Sequence, residues 1–128
     1  MSEIAQMSVA WRTVARPEGG TPIYRGIQAG HHAWDDALQG IARPGDPDGH
    51  ADAVRHNAGD VRTSRFTSWS HSREIAERYA GVGGLLLEWR TGSPPPEVSW
   101  SLEWSPDLFY ELEVLIRGTL NGARVIRL

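Results

Sequence analysis

The stretch of sequence that decides the fold lies near the C-terminal end and reads Tyr110-Glu111-Leu112-Glu113-Val114-Leu115-Ile116-Arg117-Gly118. Its apolar residues predict a strand suited to the protein core. Because residues two apart in a strand share a face, Glu111 and Glu113 are expected to point the same way. Two like charges on one face of an apolar strand are costly unless that face lines a cleft. Taken alone, the pair is better interpreted as ordinary glutamates on a solvated edge strand.

Two strand candidates further upstream also carry polar groups. The segment 21–27 alternates, with Arg25 among apolar residues on one face and Tyr24 on the other. A buried guanidinium needs a partner, so Arg25 is either paired within the protein or faces an anionic ligand. The segment 64–70 is rich in β-branched, aromatic and hydroxyl residues and contains Thr67-Ser68-Trp69-Ser70. A cation and a group of hydroxyls therefore precede the two glutamates on separate strands.

The remaining patterns predict one α+β domain over residues 1–128, with an N-terminal helical extension at 1–20. The expected helices share an apolar spacing of three to four residues and lie at 4–14, 31–41 and 72–81. The third is the best defined, because Ser72 is a capping residue and Gly81 a terminating one. The other expected strands lie at 85–90, 98–104 and 123–128. Asn121-Gly122 predicts that the last strand forms a hairpin with the strand at 110–118.

Composition and charge exclude several classes of function. A net charge of −3 gives no general affinity for nucleic acid or anionic membranes. The chain contains no cysteine, which excludes disulfides, thiolate catalysis and cysteine-ligated zinc. No apolar run approaches the roughly 20 residues of a membrane span, and the N-terminus lacks the apolar core of a signal peptide. We therefore expect no membrane partner, and a location in the cytoplasm of the producing cell or of a target cell after delivery.

The chain has five histidines, His31, His32, His50, His56 and His71. None of them stands at the spacing of a metal-binding pair, and no cysteine supplements them. We therefore expect no metal site, and we expect the histidines to lie at the surface or at helix termini.

Three segments, in their order along the chain, resemble the arginine-serine-glutamate class of ADP-ribosyltransferases. Ile23-Tyr24-Arg25-Gly26 is similar to the aromatic-arginine strand of that class, and Phe66-Thr67-Ser68-Trp69-Ser70 to its Phe-x-Ser-Thr-Ser strand, with Trp69 in place of a threonine. A helix with alanine and aromatic positions follows, as at 74–80. Glu111–Gly118 resembles the Glu-x-Glu that leads into a hydrophobic strand. The resemblance covers about residues 21–128.

This resemblance implies a compact ADP-ribosyltransferase-like fold, with N-terminal helices packed on a split, mainly antiparallel β core. It also implies NAD as co-substrate, bound by a set of residues comprising Tyr24, Arg25, Gly26, Ser68 and Ser70. Arg25 would hold the pyrophosphate with its two-pronged guanidinium. Ser68 would orient the catalytic glutamate and support the nicotinamide-ribose pocket, and Ser70 would help to shape the same strand.

The two glutamates take different roles in this resemblance. Glu113 would stabilise the positive charge that develops on the ribose when nicotinamide leaves. Glu111 would orient or deprotonate the acceptor, and a glutamate at this position goes with arginine as acceptor. The substrate-recognition loop of the class corresponds here to Trp104, Phe109 and Tyr110. Trp104 and Phe109 are equally compatible with core positions in the flanking strands.

The expected function is therefore mono-ADP-ribosyl transfer from NAD to a macromolecule, a protein rather than a nucleic acid. The chain would be a bacterial toxin or effector domain, for which an immunity protein or antitoxin is a plausible partner. Two alternatives stay open. One is an NAD glycohydrolase, which transfers to water, and the other is a degenerate domain that only binds a partner.

Overall fold

The computed structural model describes residues 20–91, 101–103, 105–107 and 111–128. Within these residues the chain is an α+β protein with one six-stranded antiparallel sheet and three helices, as the sequence predicted at the level of class. In chain order the elements are β1 (Pro22–Ile27), α1 (Trp34–Leu38), α2 (Ala53–Asn57), β2 (Phe66–Ser70), α3 (Arg73–Ala80), β3 (Leu85–Arg90), β4 (Ser101–Glu103), β5 (Glu113–Arg117) and β6 (Arg124–Arg127).

Several predicted segments lie partly or wholly outside the described residues. They include the helix at 4–14, nearly all of the extension at 1–20, and most of the strand at 98–104, of which β4 is the described part. Among the described residues, no helix is long and apolar enough to cross a membrane.

The core lies on both faces of strand β3, which is flanked by β1 and β6. Leu85, Leu86 and Leu87 are all fully buried, which explains why this strand has a continuous apolar run rather than an alternating one. Leu85 and Leu87 belong to the main apolar cluster together with Ala37 of α1. Helix α3 packs mainly on β1, through its buried residues Ala76 and Ala80.

Helix α3 forms where its end signals predicted. The Ser72 side chain accepts a hydrogen bond from the Ile75 amide at 3.2 Å, and the helix ends at Gly81, whose φ is 69°. Two ion pairs at i,i+4 spacing, Arg73–Glu77 and Glu74–Arg78, lie on its exposed face. The helix is therefore determined by its own sequence, before any tertiary contact is considered.

The sheet has the order β4-β5-β2-β1-β3-β6, and its middle junction is narrow. Strands β1 and β3 pair along six residues and β2 and β5 along five, whereas the described pairing of β1 with β2 is the single pair Tyr24–Ser70. Two three-stranded halves, β4-β5-β2 and β1-β3-β6, therefore meet at one point in the sheet. A gap between β1 and β2 opens beyond that pair.

The predicted hairpin between the last two strands is wrong. Strand β5 pairs with β2 and β4, and β6 pairs with β3 at the opposite edge of the sheet. The segment between β5 and β6 runs to the other side of the sheet because its backbone pairs with the segment around Ala42. Leu120 and Ala42 exchange two hydrogen bonds of 2.9 and 3.0 Å. The amide of Ala123 then donates to the Gly40 carbonyl at 3.0 Å. These long-range bonds replace the local turn that Asn121-Gly122 predicted.

Gly26 allows α3 to pack closely on β1. A Cβ atom at this position would overlap the Ala76 carbonyl oxygen and would lie 2.8 Å from the Ala80 amide nitrogen. The backbone of the helix cannot move away without loss of the apolar contacts on either side.

We therefore expect Gly26→Ala to lower the free energy of unfolding by about 2–3 kcal/mol, the upper part of the range for overpacking. Val82→Ala, at a fully exposed position just beyond α3, is the control and should change stability by less than about 0.5 kcal/mol. Urea denaturation measures both variants. Equal midpoints for the two would contradict this role of Gly26.

Candidate active site

A cleft of about 290 Å³ opens at the junction of β1 and β2. It brings together seven residues that the sequence analysis proposed, namely Tyr24, Arg25, Gly26, Ser68, Ser70, Glu111 and Glu113. These residues come from three separate segments of the chain. The proposed acceptor residues Trp104, Phe109 and Tyr110 lie outside the described residues.

The two glutamates reach the cleft by a different route from the predicted one. Strand β5 begins at Glu113, so Glu111 and Glu113 are not neighbours on one face of a continuous strand. Between them Leu112 has a φ of 52°, a left-handed conformation that costs roughly 1–2 kcal/mol for a residue with a side chain. Both carboxylates nevertheless line the cleft. The sharp bend at Leu112, and not strand alternation, is what directs them there.

The segment 105–107 holds this bend in place. Asp107 Oδ1 accepts hydrogen bonds from two amides, Glu111 N at 2.9 Å and Glu113 N at 3.2 Å. The Ser105 hydroxyl donates to Glu113 Oε1 at 2.6 Å and accepts from the Asp107 amide at 2.9 Å. The His71 amide donates to the Leu112 carbonyl at 3.0 Å. The strained backbone is thus fixed by bonds on both sides.

Ser70 links this bend to the sheet. Its hydroxyl donates to the Glu111 carbonyl at 2.7 Å and accepts from the Ser72 amide at 2.9 Å. The same residue forms the single pair between β1 and β2. Trp69, beside it, is buried in the main apolar cluster, and its indole donates to Thr67 Oγ1 at 2.9 Å. The tryptophan that departs from the family pattern is therefore part of the core, although it also borders the cleft.

Glu113 is a largely buried carboxylate. Burial raises its pKa, and hydrogen-bonding interactions with Ser105, Ser68 and Asn57 oppose that rise. Asn57 Nδ2 is buried and makes no hydrogen bond of 3.5 Å or less in the described part of the chain. Its amide therefore acts on the carboxylate from a somewhat longer distance. A bound ligand that offered an acceptor here would satisfy it.

Arg25 supplies the positive charge of the cleft. Its Nη1 donates to the Ser68 carbonyl at 3.1 Å, across the gap between β1 and β2. Burial lowers its pKa to about 10, so the guanidinium stays charged at neutral pH. Among the described residues no carboxylate lies within ion-pair distance of it. The remaining donors of the guanidinium are suited to an anionic group.

His56 is part of the same site: it lies in the last turn of a helix, one of the two places expected for the histidines, but it is buried rather than at the surface. It lies in α2 and is 4 % exposed. Its Nδ1 is 2.7 Å from Ser64 Oγ, and its Nε2 is 2.9 Å from Ser68 Oγ. The ring therefore joins α2 to one hydroxyl just before strand β2, on Ser64, and to one in the middle of that strand, on Ser68.

The bonding partners of these hydroxyls indicate the tautomer of His56. Ser64 Oγ already accepts from the Phe66 amide at 2.9 Å, so its proton is free to point to Nδ1. With Nδ1 as the acceptor, the neutral ring carries its proton on Nε2 and donates to Ser68 Oγ. The chain of donors therefore runs from Ser64 through His56 to Ser68, and Ser68 in turn helps to oppose the rise in the pKa of Glu113.

Burial, and next the positive charge of Arg25, lower the pKa of His56 to about 4. The ring is therefore neutral at physiological pH, as the chain of donors requires. Sequence reasoning missed His56 because its role depends on contacts with residues 8 and 12 positions away. Asp52, which caps α2 by accepting from Arg55 N at 3.1 Å, was the local signal that a helix begins there.

Comparison with protein-family models, with curated proteins and with solved structures gives no match at a significant level. Among the described residues, no three histidine or acidic side chains converge in a way that could hold a metal ion.

The His56 network makes a prediction about stability and pH. Because the folded-state pKa of His56 lies below its ordinary value of 6.5, the unfolded chain binds more protons between pH 6.5 and 4. The stabilisation from the neutral ring is complete above pH 6.5 and is lost as the pH falls toward 4. We expect His56→Gln to be less stable at pH 7, and its deficit to shrink by up to about 3 kcal/mol at pH 4.

Urea denaturation of both proteins over this pH range measures the difference. Subtracting the free energy of unfolding of the variant from that of the wild type, at each pH, removes the contribution of the other histidines. A deficit that stays constant or grows as the pH falls would show that His56 is not held neutral.

Proposed function

We propose that this protein is a mono-ADP-ribosyltransferase that uses NAD and has an ADP-ribosyltransferase-like fold. One observation carries the proposal: Arg25, Ser68 and Glu113, from three strands that are far apart in the sequence, line a single cleft. The gap between two halves of an antiparallel sheet is the kind of split core that the sequence resemblance implied. The proposed setting is a bacterial toxin or effector domain.

Arg25 is the group proposed to hold the pyrophosphate of NAD. It is charged and largely buried, and within the described residues its guanidinium makes one hydrogen bond, to the Ser68 carbonyl, which leaves further donors. A guanidinium in such a place binds phosphate oxygens with two parallel hydrogen bonds. The cleft of about 290 Å³ is at the small end of ligand sites, so it suits the nicotinamide-ribose half better than the whole dinucleotide.

Glu113 is the proposed catalytic carboxylate. Loss of nicotinamide breaks the bond between ribose C1′ and the pyridinium nitrogen, and positive charge develops on the ribose. The carboxylate accepts a hydrogen bond from a ribose hydroxyl and stabilises that charge in a site of low dielectric constant. Ser105 donates a hydrogen bond to the carboxylate, and Ser68 helps to oppose the rise in its pKa. The carboxylate is therefore already oriented, and little reorganisation is needed at the moment of reaction.

Glu111 is proposed to serve the acceptor, a protein side chain that attacks C1′ and loses a proton. It lies in the same cleft as Glu113 but is less enclosed by hydrogen bonds. Transfer to water in place of a protein gives NAD glycohydrolysis, and both outcomes need the same first step. An immunity protein that covers this cleft would inhibit either one.

We expect Glu113→Gln to lower the rate of nicotinamide release by about 100-fold or more, since it removes one preorganised charge near the reacting ribose. NAD binding, measured by calorimetry, should change little because Arg25 is intact. Burial raises the pKa of Glu113. As the pH is lowered, the wild-type rate should therefore begin to fall at a higher pH than it would if the carboxylate had the pKa of an ordinary glutamate. Chromatography of released nicotinamide measures the rates.

Glu74→Gln is the matched control, because Glu74 is an exposed glutamate on the outer face of α3. It should keep the wild-type rate. A wild-type protein that binds no NAD, or full turnover by Glu113→Gln, would refute the proposal.

A further inference from the structure

Tyr79 lies at the mouth of the cleft and contacts the acceptor-side glutamate. It is on α3, 32 residues before Glu111, and its hydroxyl donates to Glu111 Oε2 at 2.5 Å. The residue lines the cleft, yet it is 54 % exposed. A large aromatic ring that is both bonded to a site carboxylate and open to solvent is suited to contact a second substrate.

The bond to Tyr79 completes the fixation of Glu111. The backbone of Glu111 is held by Asp107 and Ser70, through bonds of 2.9 and 2.7 Å. In the described part of the chain, Tyr79 is the hydrogen-bond donor to the side-chain carboxylate, and it engages Oε2. No donor from the described residues contacts the second oxygen, Oε1, which can accept from an incoming group. The hydrogen bond to Glu111 is also the main cause that raises the pKa of Tyr79 to about 12, so the phenol keeps its proton at neutral pH.

We infer that Tyr79 is the residue that selects the acceptor: its hydroxyl positions Glu111, and its exposed ring face stacks on a planar cationic acceptor. The inference rests on the proposed function and adds to it a residue outside the predicted loop of Trp104, Phe109 and Tyr110. A guanidinium stacks on an aromatic ring and donates to a carboxylate at the same time, which water cannot do. Tyr79 thus favours transfer over hydrolysis.

The chemical step balances without further reactants. The C1′–N bond to nicotinamide breaks and nicotinamide keeps the electron pair. A guanidine nitrogen forms the new bond to C1′, and the proton that it loses passes to Glu111. When no guanidine is present, water takes the place of the nitrogen. Tyr79 acts on the choice between these two nucleophiles.

The test is the partition between transfer and hydrolysis, with agmatine as the guanidine acceptor. We expect Tyr79→Ala to lower the ratio of ADP-ribosyl-agmatine to free ADP-ribose about tenfold, the size of a partly desolvated cation–π contact. The ratio of the two products, and not the total rate, is the readout, because Tyr79 also holds Glu111 in the cleft. Tyr79→Phe keeps the ring and removes the hydroxyl, so its product ratio should lie between those of the wild type and Tyr79→Ala. Arg78→Ala, whose side chain pairs with Glu74 on the outer face of α3, is the control and should match the wild type.

A second measurement does not depend on turnover. Agmatine added without NAD should shift the NMR signals of the Tyr79 ring in the wild type, and it should fail to bind to Tyr79→Ala. An unchanged partition ratio in a folded Tyr79→Ala protein, or hydrolysis by the wild type with no agmatine product, would overturn the inference. A wild type that releases no nicotinamide refutes the proposed function. In that case the ring shifts still decide the role of Tyr79, and their absence overturns it.

Discussion

The narrow contact between β1 and β2 is the feature on which the site depends. The described pairing of the two strands is the single pair Tyr24–Ser70, and past this point the strands diverge. The side chain of Arg25 spans the gap by donating to the Ser68 carbonyl, in place of a regular ladder bond. A sheet that separates in this way exposes polar backbone and side chains at its centre rather than at its edges. The cleft is therefore lined by residues from both halves of the sheet.

Buried polar groups would destabilise such a centre unless each had a partner. Ser64, His56 and Ser68 form one chain of donors and acceptors beside Glu113, whose carboxylate accepts from Ser105 and whose amide donates to Asp107. The neutral state of His56 is a condition for this order, because a protonated ring would donate from both nitrogens. Stability and site geometry thus depend on the same hydrogen bonds. A substitution that breaks one of these bonds is expected to lower the free energy of unfolding and also to disturb the geometry of the site.

The sequence predicted what depends on local patterns. It gave the α+β class, the position of α3 with both of its ends, and the strands that carry Arg25, Ser68 and Glu113. It failed where long-range bonds override a local signal. The Asn121-Gly122 turn was taken for a hairpin because the bonds of Leu120 to Ala42 cannot be read from the sequence. His56 and Tyr79 were missed for the same reason, since their partners lie 8 to 32 residues away.

The central claim is that the gap between β1 and β2 is an NAD site. The most direct measurement is a crystal structure with an NAD analogue whose ribose ring oxygen is replaced by carbon, so that it cannot be cleaved. The account predicts the pyrophosphate against Arg25, and a nicotinamide-side ribose hydroxyl within hydrogen-bond distance of Glu113. Density for the analogue at another place, or an unchanged empty cleft at a saturating concentration of the analogue, would contradict it.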